Sequence, residues 1–77
     1  MSIDEKGIAA NLRLSRIEAG LSQGDVGKHF GVTRQAVSMW EHGIHKVSAE
    51  LAGQLAEYYG VSIENIYDPF RALMGVR

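Results

Sequence analysis

The sequence predicts an all-α fold of five short helices. Three observations carry that prediction. Gly20, Gly31 and Gly60 each close a stretch whose apolar residues recur at near-helical spacing, and glycine ends a helix in the left-handed conformation without a Cβ clash. Ser22, Thr33, Ser48 and Ser62 stand where the next stretch begins, and their hydroxyls can accept from the free amides of a helix start. With 77 residues and no cysteine, the chain has no disulfide framework, so apolar helix packing must supply its stability. One domain is expected over 1–77, its core at about 7–68 and a short tail at 69–77.

The first six residues are mostly polar and are expected to fray. A first helix is predicted from Gly7 to Ala19 on the spacing of Ile8, Leu12, Ile17 and Ala19, with Gly20 as its stop. The second begins at the Ser22 cap, and Asp25, three residues on, completes a capping box. Gly31 ends it, and Thr33 caps the third after a very short turn. Val26, Phe30, Val32, Val37 and Trp40 are expected to close a small core between these two helices, with Trp40 turned inward. Gly27 lies where the helices must approach, and the absence of a side chain permits it. The crossing should therefore be steep, as in a helix-turn-helix whose second helix stands clear of the body. Its outward residues are Thr33, Arg34, Gln35, Ser38 and Met39.

After the loop Ile44-His45-Lys46-Val47, a fourth helix starts at Ser48 and carries the apolar stripe Leu51, Ala52, Leu55, Ala56 and Tyr58 or Tyr59. A fifth, capped by Ser62, turns Ile63, Ile66 and Tyr67 inward until Asp68-Pro69 breaks it. In the tail, Phe70, Leu73 and Met74 share a helical face. That face suits either packing on the domain's own core or a dimer contact.

The runs Leu21-Ser22-Gln23, Gly31-Val32-Thr33-Arg34-Gln35-Ala36-Val37-Ser38 and Trp40-Glu41-His42-Gly43 resemble the phage repressor/Cro-like (XRE) helix-turn-helix family. With flanking helices, the resemblance covers about four fifths of the chain. Gly27 departs from it, standing where the family usually has Ala, at a helix-propensity cost of about 1 kcal/mol. The resemblance implies a compact five-helix lambda-repressor-like domain that binds double-stranded DNA. It also implies that Arg16 pairs with Glu41 rather than touching phosphate, and that Gln23 anchors the DNA backbone.

A net charge of -1 argues against a nucleic-acid partner, because phosphate neutralisation supplies much of the affinity for DNA. The distribution argues the other way. From Arg13 to Lys46, five basic residues (Arg13, Arg16, Lys28, Arg34, Lys46) face three acids (Glu18, Asp25, Glu41), whereas Glu50, Glu57, Glu64 and Asp68 dominate beyond. Positive charge near the motif and negative charge behind it still orient a domain on DNA, with affinity that falls readily in salt.

At the start of the third helix, Arg34 can donate two bonds to guanine and Gln35 can pair with adenine. Ser38 is within one turn of them, and Met39 suits a thymine methyl group. Thr33 caps the helix and can touch the backbone. Gln23 opens a helix whose free amides favour a phosphate. Lys46, His42 and His45 are candidates to flank a second one.

His42 and His45 alone do not make a metal site, since no cysteine or third ligand accompanies them. No His-carboxylate pairing activates a serine, and no glycine-rich phosphate loop occurs, so catalysis is not expected. No cofactor, metal, membrane span, signal peptide or small-molecule ligand is expected, and the default location is cytoplasmic. The expected form is a homodimeric regulator, a repressor on a palindromic operator, because one domain reads too few base pairs to stand out in a genome. The alternative is an antitoxin or adaptor using the same fold to hold a protein.

Overall fold

The computed structural model describes the backbone of residues 3–75 and side chains as far as Leu73. Its described residues form six helices and no strand: α1 (Glu5–Glu18), α2 (Gln23–Phe30), α3 (Arg34–Trp40), α4 (Ala49–Tyr59), α5 (Ile63–Ile66) and α6 (Pro69–Gly75). The all-α expectation holds, but the number of helices is corrected from five to six. Pro69 ends nothing further on; it opens α6. A proline fits a first helical position because the amide it lacks has no partner there in any case. The Asp68 carboxylate accepts from the Phe70 and Arg71 amides at 2.9 and 3.4 Å, completing the start.

Hydroxyl caps organise the middle of the chain. Ser22 Oγ accepts from Asp25 N at 3.0 Å while Asp25 returns the bond to Ser22 N at 2.9 Å, the expected capping box. These bonds hold the Asp25 carboxyl below the usual carboxylate range. Thr33 and Ser48 cap α3 and α4 at 3.1 Å each. Ser62 occupies the cap position of α5 but makes no side-chain cap bond. The expected start of α1 is also corrected: Asp4 Oδ1 accepts from Gly7 N, so Glu5 and Lys6 are helical and not frayed.

A core of Leu12, Val26, Val37, Ala52, Leu55, Ala56, Tyr59 and Ile66 draws on every helix from α1 to α5. Phe30 and Trp40 are half-buried against it, their rings edge-to-face at 6.2 Å, so Trp40 faces inward without being enclosed. Tyr59 is the enclosed tyrosine of α4, and Tyr58 lies half-exposed. Four apolar positions of the expected stripes and turn face solvent. Val32 is 38% exposed at the turn, Ile17 is 47% exposed, and Ile63 is 37% exposed. Ala19 is exposed as well.

Instead, α1 buries two polar residues, Asn11 and Ser15. Asn11 Nδ2 donates to the carbonyls of Ile66 and Asp68, both at 2.9 Å, and so ties α1 to the α5–α6 junction. Ser15 Oγ accepts from Arg71, whose guanidinium also pairs with Glu18. Along with buried Ala72, these contacts seat α6 on α1. The Phe70 and Leu73 side chains are left 68% and 58% exposed, so they do not pack on the chain's own core. The expected contribution of Met74 lies outside the described residues.

Candidate nucleic-acid interface

Three glycines fix where α3 stands. A Cβ on Gly27 would lie 2.8 Å from the Val32 carbonyl oxygen, so the connection to α3 runs directly against the α2 backbone. Gly31 makes that connection short by taking the left-handed conformation, φ 70°. At the other end, Gly43 has φ 68°, and a Cβ there would lie 2.9 Å from Lys6 Cα. The chain leaving α3 is thus laid against the start of α1. That contact explains, in terms of space, a motif glycine for which the sequence offered no reason.

Held in this way, α3 buries Val37 and leaves Thr33, Arg34 and Gln35 exposed, with Ser38 and Met39 partly so. All five predicted outward residues are therefore reachable. His42, His45 and Lys46 are exposed in the segment that follows. No group of three His, Cys, Asp or Glu side chains gathers at one point among the described residues.

The Arg16–Glu41 pair is present and two-pronged. Arg16 Nε donates to Glu41 Oε2 at 2.7 Å and Nη2 to Oε1 at 3.0 Å, while Nη1 donates to the Leu21 carbonyl at 2.8 Å. The Glu41 side chain is only 1% exposed. Hydrogen bonding to Glu41 raises the Arg16 pKa, keeping the guanidinium charged. Burial first, and then the Glu41 charge, push the neighbouring Tyr59 phenol upward, so it stays neutral. This cluster links the α1 end, the α2 entrance and the α3 exit, and its role is to fix their mutual placement.

Gln23 is drawn into the same cluster. Its Nε2 donates to Glu41 Oε1 at 3.2 Å, an engagement the sequence did not reveal. The side chain is half-buried, and with Arg16, Ser22, Gly24 and Arg34 it lines an open hollow between the start of α2 and the start of α3. The Arg34 guanidinium and the start of α2 carry positive charge at this hollow, while the Arg16 charge is balanced by Glu41. His42 was also incompletely read: its Nδ1 lies 2.6 Å from the Ser38 carbonyl oxygen and 3.3 Å from Ser38 Oγ. His29 is exposed and stacks on Tyr58 with ring centroids 3.9 Å apart.

A short capped helix, a glycine turn and an exposed polar α3 define a helix-turn-helix protein, and residues 12–66 match the Helix-turn-helix family model. The chain belongs to the phage repressor/Cro-like (XRE) helix-turn-helix family. It is 38% identical over 56 residues to an uncharacterized HTH-type transcriptional regulator of Methanocaldococcus jannaschii, a match covering 73% of this chain and 85% of that protein. It is 42% identical over 52 residues to a Saccharolobus islandicus protein named as an HTH-type transcriptional regulatory protein, covering 68% of this chain but 17% of that one. Among solved structures, apo-HppE superposes with a TM-score of 0.78 at 24% identity, over 87% of this chain and 38% of that one. This last likeness shows the shared fold alone.

Proposed function

We propose that the protein is a sequence-specific, double-stranded DNA-binding transcriptional regulator. Family membership supports regulation through DNA, and the exposed Arg34-Gln35 pair at the start of α3 carries the finer reading. With α3 in a major groove, Arg34 donates to guanine O6 and N7, Gln35 pairs with adenine N6 and N7, and Ser38 and Met39 extend the contact along the groove. Thr33, Lys46, His42 and His45 meet the phosphates on either side. Gln23 can donate its backbone N–H to a phosphate even though its side chain is partly engaged by Glu41.

The working form is a homodimer on a palindromic operator, because each contacted base pair discriminates by only about 1–3 kcal/mol. The protein acts as a repressor by occupying that site, in the cytoplasm and without catalysis. Exposed Phe70 and Leu73 on α6 are the candidate dimer contact. Those same two residues favour a second reading, an antitoxin or adaptor that uses α6 to hold another protein.

Binding to duplex DNA at increasing salt separates the two. The first reading predicts affinity that falls steeply with salt, and a Gln35→Ala variant that stays folded but loses sequence preference at one position by about 1–3 kcal/mol. Absence of binding to any duplex at low salt would leave the second.

A further inference from the structure

We propose that Lys6, near the start of α1 and outside the helix-turn-helix, is a further contact to the DNA backbone, placed there by its close approach to Gly43. This role rests on α3 reading the groove. A Cβ built on Gly43 would lie 2.9 Å from Lys6 Cα, 3.0 Å from its Cγ and 3.2 Å from its N. The Lys6 backbone and the root of its side chain therefore both lie against the turn that leaves α3. Gly43 has φ 68° and no side chain, and any other residue there would hold α1 off.

His42 directly precedes that glycine, and His45 and Lys46 follow it within three residues. All three are exposed, and they are the side chains proposed above to meet a phosphate beyond the end of α3. Lys6 is exposed as well and joins them from a different helix. Sequence alone left it in a stretch expected to fray. The Asp4 cap makes it helical, and the Gly43 contact gives it a fixed place.

The acids next to Lys6 in sequence are Asp4 and Glu5. Asp4 is engaged, its Oδ1 accepting from Gly7 N at 2.9 Å. Glu5 is exposed and leaves the helix about 100° around from Lys6. Among the described residues, no carboxylate pairs with the Lys6 ammonium, whereas Arg16 and Arg71 each hold one. An ammonium on a flexible stem takes a phosphate as a point charge. Lys6 and Lys46 are then the permanent cations of this edge, and the two histidines add charge only when protonated. Such a contact carries no sequence information, so its loss should weaken every duplex alike.

Lys6→Gln keeps the Cβ and Cγ that lie along Gly43 and removes the charge, which separates a phosphate contact from packing. Duplex affinity is followed by fluorescence anisotropy as salt is raised. One phosphate contact is worth a slope of about 0.9 in log affinity against log salt, so the wild-type advantage over Lys6→Gln should shrink about threefold between about 50 and 200 mM. Base preference and thermal midpoint should not change. Lys6→Arg should keep the wild-type slope. Lys28→Gln, which removes the same charge from a hollow lined by Leu21, Asp25, His29 and Tyr58, should keep it too. An unaltered slope in Lys6→Gln, or an equal reduction in Lys28→Gln, contradicts the contact while leaving the role of α3 intact. A wild-type protein that binds no duplex in dilute buffer overturns the role of α3, and the Lys6 contact with it.

Discussion

Three side-chain hydrogen bonds converge on the Glu41 carboxylate. Its two oxygens receive Arg16 Nε, Arg16 Nη2 and Gln23 Nε2, and its side chain is nearly closed to water. Removing one member of such a pair strands the other charge, which costs more than the intact pair contributes. Glu41→Ala is expected to lower stability by about 3 kcal/mol in urea denaturation, and adding Arg16→Ala should recover part of that loss. Strictly additive losses would show that the pair is not coupled. The pair was legible from the Trp-Glu-x-Gly resemblance. The third donor was not, because Gln23 and Glu41 are brought together only by the fold. The His42 contact was hidden for a different reason: a histidine four residues after a serine is common, and nothing in sequence says that the helix stops just before it.

At the scale of elements, glycine position decides how α2 and α3 meet. Two of the helical glycines, Gly27 and Gly53, have contrasting surroundings. A Cβ at Gly27 would press on a backbone carbonyl at 2.8 Å, whereas one at Gly53 would meet nothing within 4 Å. Alanine improves helix propensity by about 1 kcal/mol at either place. Gly53→Ala should therefore raise the thermal midpoint. Gly27→Ala should lower it, because α3 must move off α2 and the Val26–Val37 packing loosens with it. Equal stabilisation by both, read from thermal denaturation, would show that the close approach is not required. The helix starts at Ser22, Thr33 and Ser48 were legible because capping is local chemistry. The sixth helix was not, since Asp68-Pro69 reads equally well as an end and as a beginning. Only the docking of Ala72 and Arg71 on α1 decides between them. Periodicity likewise placed Ile17 and Ile63 inward, yet both are exposed, while α1 buries Asn11 and Ser15; Ile66, also placed inward, is fully buried.

For the whole molecule, α3 leaves Arg34 and Gln35 exposed, and α6 leaves Phe70 and Leu73 exposed. Burying two such side chains between copies is worth about 3 kcal/mol or more, a change of over about a hundredfold in self-association. The double variant Phe70→Ser, Leu73→Ser should stay folded, sediment as a monomer and bind an operator more weakly. Unchanged self-association would move the dimer contact elsewhere. The net charge of -1 argued against DNA at the level of composition, and the resolution lies in where the charges sit.

In the proposed function, the exposed side of α3 is what meets the duplex. Titrating an isotope-labelled sample with an enriched operator in dilute buffer, and following each backbone amide by NMR, tests it most directly. The account predicts the largest shifts at Thr33, Arg34, Gln35 and Ser38, with a second group at Gln23 and Gly24, and little change at Glu57, Tyr58 or Glu64. Shifts confined to α4, α5 and α6, with α3 silent, would contradict it.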